Sequence, residues 1–189
     1  LTRAVMTCHL ALREMGQVWL PLQRHWRLNE RHYGGLQGLD KKATTEKHGA
    51  EQTNLWRRSY DVPPPPVEAS SPEHPLNDPR YRFVDRNDLP ATECLKDVVA
   101  RVLPYWNESV VPQLKSNMNV LVTAHGNSLR ALVMYLEGIS EADIAELNIP
   151  TGVPRQYTFD ASMKVVAVKY LGDADAIAAA AAAVANQSK

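Results

Sequence analysis

The 189-residue chain contains only two cysteines, Cys8 and Cys94. They lie in unrelated helical stretches, so reduced thiols in a cytosolic protein are expected and a disulfide framework is not. No apolar run is long enough to span a bilayer. Ala178–Ala183 is a short alanine tract, and no signal-peptide pattern is present. Neither sign of charge dominates, with 21 basic and 21 acidic residues. That balance argues against a general nucleic-acid binder. There is no G-x-G-x-x-G and no Walker-type loop. The six histidines are scattered, and none stands at a recognisable ligand spacing from Cys, Asp or Glu, so no metal is expected. A lead-in is missing too. Leu1-Thr2-Arg3-Ala4 opens directly into a helical pattern, with neither an initiator methionine nor the strand that usually starts an α/β domain. The chain reads as one domain, residues 1–189, with an incomplete front.

What is present alternates. Thr2–Met15 has roughly helical spacing with Gly16 as its stop. Val18–Leu22 is a short strand candidate weakened by Pro21. Arg27–Leu39 is glycine-rich and polar between aromatics, as functional loops are. Lys41–His48 and Glu51–Tyr60 predict two short helices around Gly49. Seven prolines between Pro63 and Pro79 begin an irregular stretch reaching about Pro90. An excursion of that length is expected to cover or line a site. Ala91–Leu114 is strongly periodic, with Thr92 as a possible cap and Pro104 as a kink or break. Val120–Ala124 predicts a buried strand and Ser128–Leu136 a helix ended by Gly138. Ser140–Asp143 resembles a capping box. Gln156–Phe159 and Val165–Tyr170 predict a strand pair around Asp160-Ala-Ser, and Asp173–Ala185 an alanine-rich helix. The alternation implies a three-layer α/β/α domain with a mainly parallel sheet, plus an antiparallel strand near the C-terminus.

The junction His125-Gly126-Asn127 carries the most chemistry. A strand-to-helix corner aims free N–H groups and the positive end of the helix dipole at one spot, which suits a phosphate or another anion. The alternative is a strand-end histidine with a routine turn glycine. Glu30 in the polar loop could move protons, or the loop could be a solvated face. Arg57 and Arg58 are adjacent on a helix and diverge by roughly 100°. They serve one anion only if it is large, and otherwise are surface charge beside Trp56. A site of His, Arg and Glu without metal fits phosphoryl chemistry.

Four segments together resemble cofactor-dependent phosphoglycerate mutases of the histidine phosphatase superfamily: Leu28-Asn-Glu-Arg-His-Tyr-Gly34, Trp56-Arg-Arg-Ser-Tyr-Asp-Val-Pro-Pro-Pro-Pro66, Ala124-His-Gly-Asn-Ser-Leu-Arg130 and Leu147-Asn-Ile-Pro-Thr-Gly-Val-Pro154. The resemblance implies that His125 stabilises the transferring phosphoryl group without bonding to it, and that Arg3 completes the phosphate pocket. It makes Glu30 the proton donor and acceptor. Tyr33, Lys41, Arg57 and Arg58 would hold the carboxylate and distal phosphate of phosphoglycerate, while Gly126 and Asn127 offer backbone contacts. It also implies priming by 2,3-bisphosphoglycerate, no metal, a dimer or dimer of dimers, and a C-terminal tail near the site. The family's nucleophile stands in an Arg-His-Gly sequence, and none of the six histidines here does. Bisphosphoglycerate synthase or phosphatase activity shares these motifs, although Asp61–Pro66 leans towards the mutase. A non-catalytic anion-binding module is the reading from a different class.

Overall fold

The computed structural model describes residues 1–186. The side chains of Lys41 and Asn186, and residues 187–189 with most of the tail, lie outside the described residues. The fold is helix-rich α/β. Helix α1 spans Thr2–Glu14, α2 Lys41–His48, α3 Ala50–Arg58, α4 Leu95–Tyr105, α5 Val111–Lys115, α6 Gly126–Glu137 and α7 Ala174–Asn186. Strands β1 (Arg155–Phe159) and β2 (Val165–Tyr170) form an antiparallel pair.

The core is where α4 meets α6. Leu95, Val98 and Val102 recur at helical spacing and bury one face of α4 against Ala131 and Leu132 of α6, with Ile144 closing the cluster. Cys94 caps α4. Its N–H donates to Asp97 Oδ2 at 2.9 Å, and its thiol faces the same oxygen at 3.1 Å. Thr92, the expected cap, instead donates to Pro64 O at 2.7 Å. Beyond Pro104 the helix widens into a π segment, Trp106–Val110, before α5. Pro104 and Pro112 each lack the N–H that would close a regular turn, so the ladder loosens between them.

Two strand expectations do not hold. Val120–Ala124 runs into His125 (φ −118°, ψ 168°) but joins no ladder among the described residues, and Leu121 is half exposed. Branched apolar side chains favour an extended backbone, but a strand needs a neighbour to take its N–H and C=O groups. Val18–Leu22 is a turn followed by coil, as Pro21 allows. The mainly parallel sheet is therefore not formed among the described residues, and the sheet present is the two-stranded β1–β2 pair. At Ser140 the hydroxyl accepts Asp143 N–H at 3.2 Å and donates to Asp143 Oδ2 at 2.6 Å. The reciprocal backbone arm of a capping box is therefore not made among the described bonds, and only the 3₁₀ turn Asp143–Glu146 follows.

Arg155 fastens the hairpin to α6. Its guanidinium donates three times to the Glu137 carboxylate, at 2.7, 2.8 and 3.1 Å, and lies over the Tyr170 ring. The proline-rich excursion folds back over the loop at residues 27–35. Gly35 N–H donates to Pro65 O at 2.7 Å, and Asn29 Nδ2 donates to the Tyr81 hydroxyl at 2.8 Å.

Candidate active site

Helix α6 begins at a corner closed by Ser128, whose hydroxyl accepts from His125 N–H at 3.0 Å and donates to His125 O at 3.1 Å. Gly126 is the first helical residue, so the helix does not use its N–H. The next amide, of Asn127, donates to Glu30 Oε1 at 3.0 Å, and Arg31 N–H donates to the same oxygen at 2.9 Å. The anion facing the helix dipole is thus the Glu30 carboxylate. Its other oxygen, Oε2, lies where a Cβ on Gly126 would come within 3.8 Å. Residues almost a hundred positions apart in sequence therefore meet at one spot.

Asn127 also turns its amide towards Tyr33, donating from Nδ2 to the hydroxyl at 3.0 Å. Arg130, one turn along α6, donates to Asn127 Oδ1 at 3.0 Å and to Ile144 O at 2.6 Å. This fixes the amide orientation. Over the Tyr33 ring stand the guanidinium groups of Arg31 (4.5 Å) and Arg57 (5.6 Å). The Nε atoms of Arg31, Arg57 and Arg130 are buried with no hydrogen-bond partner. Buried donors without acceptors cost free energy, and clustered like charges add to it. Burial, with Arg58 and Arg31 nearby, pushes Arg130 down to about 10. An anion near Tyr33 would relieve both costs.

His125 is buried. Burial first, and then neighbouring positive charge including Arg3 and Arg101, lowers it to about 4. The imidazole is neutral at pH 7, and a phosphoryl group arriving beside it would raise its basicity. The shift couples to stability. The unfolded histidine takes up a proton near 6.5 and the folded one only near 4. The stabilising contribution is present above 6.5 and is lost as pH falls through that window. At about 1.4 kcal/mol per unit, roughly halved for solvent screening, it amounts to about 1–2 kcal/mol. An NMR titration of the His125 ring should show a midpoint below 5; a midpoint of 6.5 or higher would contradict this environment.

The structure brings Glu30, Tyr33, Arg57, Gly126, Asn127 and His125 together. Arg3 is exposed and hydrogen-bonds through its side chain to no described residue, but its charge is felt at His125. Arg58 turns elsewhere. Its guanidinium donates to Ala145 O at 2.8 Å and to Asn148 Oδ1 at 3.0 Å, tying α3 to the loop after α6. The backbone of Lys41 starts α2. Among the described residues no three His, Cys, Asp or Glu side chains are grouped to hold a metal ion.

Two residues escaped the sequence reading. Glu93 and Arg101 form a buried ion pair behind the Glu30 loop. The one available signal was Arg101 itself, a charged side chain on the apolar stripe of α4 beside Val98 and Val102.

Glu30 and the buried His125 thus stand at the N-terminus of α6, and on the Tyr33 side lie three guanidinium Nε atoms without hydrogen-bond partners. The family model described as histidine phosphatase superfamily (branch 1) matches residues 1–77 and 69–169, and the chain belongs to that superfamily. Membership points to phosphatase- or mutase-type chemistry. Among solved structures, one titled Mycobacterial hydrolase 1 superposes with a TM-score of 0.56, covering 88% of this chain and 70% of that one at 18% sequence identity. At that identity the likeness concerns the fold alone. No described helix is long and apolar enough to cross a membrane.

Proposed function

We propose that this domain interconverts 3-phosphoglycerate and 2-phosphoglycerate through a phosphohistidine primed by 2,3-bisphosphoglycerate. The observation that carries the reading is the Asn127 N–H donating to Glu30 Oε1 at the start of α6, because it leaves Glu30 Oε2 near Gly126 with no hydrogen bond among the described residues. The substrate hydroxyl oxygen attacks phosphorus while the N–P bond of the phosphohistidine breaks, and Glu30 Oε2 accepts the hydroxyl proton. In the return step the histidine nitrogen attacks the other phosphate of the bisphosphorylated intermediate. The departing oxygen then recovers its proton from Glu30. His125 and Arg3 would stabilise charge on the transferring group. Tyr33, Arg57 and Lys41 would hold the rest of the substrate. The nucleophilic histidine would come from an Arg-His-Gly segment outside these 189 residues. In that setting Val120–Ala124 would be an inner strand of a three-layer, mainly parallel sheet, in a cytoplasmic dimer or dimer of dimers.

A second reading is phosphatase or bisphosphoglycerate synthase; the commitment of Arg58 to Ala145 and Asn148 leaves one fewer cation for a distal anionic end, which favours the phosphatase. The complete protein should convert 3-phosphoglycerate to 2-phosphoglycerate, with stimulation by 2,3-bisphosphoglycerate. Release of inorganic phosphate without isomer exchange would replace the mutase by a phosphatase. Anion binding with neither product would leave a binding module.

A further inference from the structure

We propose that the buried Glu93–Arg101 pair is a positioning device for Glu30; this rests on the reading of Glu30 as the proton-transfer group. The loop that carries Glu30 has no regular secondary structure from Asn29 to Tyr33, so its backbone polar groups must find partners outside it. Arg101 supplies several of them. Its Nη2 donates to Asn29 O at 2.9 Å and to Glu30 O at 3.3 Å, while Nη1 reaches Arg27 O. Glu93 takes the loop from the other side. Oε2 accepts His32 N–H at 2.8 Å, and the Glu93 N–H donates to His32 O at 2.9 Å.

The two braces are locked to each other, with Arg101 Nη2 and Glu93 Oε2 at 3.1 Å and a second contact between Nε and Oε1. Glu93 is 2% and Arg101 7% exposed, so neither charge has water as a substitute partner. Arg101 sits on α4, which packs on α6, and α6 begins at His125 and Asn127. The pair therefore ties the Glu30 backbone to the element whose packing partner presents the other half of the site. Its chemistry suits that task. A planar guanidinium fork can serve a carboxylate and several carbonyls at once, which an ammonium group cannot. A shift of about 1 Å in a reacting group can cost about a hundredfold in rate.

Two substitutions with opposite defects test this. E93Q keeps an acceptor for His32 N–H and removes the charge, whereas R101K keeps the charge and removes the fork. Amide hydrogen exchange resolved by NMR on the complete protein reads Arg31 and Asn127, the two donors to Glu30 Oε1. In both variants these amides should exchange at least about tenfold faster, with Val98, Val102 and Leu132 unchanged. If Arg31 and Asn127 keep their protection, or if all core amides loosen together, the positioning role is overturned. Phosphoglycerate turnover should fall about 30- to 100-fold in kcat with KM within about threefold. Unchanged kcat despite faster exchange would also overturn it. A wild type that turns over no phosphoglycerate would refute the Glu30 reading instead, and the exchange result would still decide the brace.

Discussion

Replacing Glu30 with glutamine should lower phosphoglycerate turnover in the complete protein by about 10²- to 10⁴-fold, the usual worth of a positioned acid–base group. The fold should survive. Glutamine keeps a carbonyl oxygen where Glu30 Oε1 accepts the N–H groups of Arg31 and Asn127, so the α6 N-terminus stays satisfied. What disappears is a carboxylate able to take and return a proton at the Oε2 position. Steady-state kinetics beside a urea melt separates the two effects. A kcat drop at unchanged denaturation midpoint is expected, and near-normal activity would remove Glu30 from the mechanism.

The largest stability effect is expected at Gly34. Its φ is +57°, in the left-handed region, and an added Cβ would lie 2.1 Å from Pro65 O and 2.8 Å from Thr92 Oγ1. The first of these is backbone, so no side-chain rotation relieves the clash. Moving Pro65 would also break the 2.7 Å bond from Gly35 N–H. G34A should therefore cost about 3 kcal/mol or more, combining about 1 kcal/mol of backbone strain with the displaced loop and lost hydrogen bond. Thermal or urea unfolding measures it, and a loss below about 1 kcal/mol would contradict the close packing. Activity should fall as well, because the neighbouring Tyr33 carries Asn127 and both overlying guanidinium groups.

Superfamily membership and the local site agree on phosphoryl chemistry, but they carry different weight. Membership covers most of the chain and sets the reaction class. The geometry around Glu30 supports the roles proposed within it.

Local chemistry was legible residue by residue. Gly49 at φ +83° ends α2 where the sequence places its stop, and at the other end the Asp40 side chain accepts from two amides. The turn at Asp160, between the β-prone segments Gln156–Phe159 and Val165–Tyr170, gives the β1–β2 hairpin. Gly138, left-handed at φ +64°, ends α6. Each depends on contacts a few residues apart, so neighbouring side chains are enough to specify it. Val120–Ala124 shows the limit, because branched side chains set its conformation but only another strand could make it part of a sheet. Tertiary structure decided the rest of the site. Asn127 meets a carboxylate 97 positions away, Arg58 a carbonyl 87 away, and Arg101 the Asn29 carbonyl 72 away. Buried charges carry no periodic signature, and their partners are fixed by how α4 and α6 pack. The amino-acid order thus determined the helices, the hairpin and the residues fit for phosphoryl chemistry. Packing determined where the guanidinium groups of Arg31, Arg58, Arg101 and Arg130 find their acceptors.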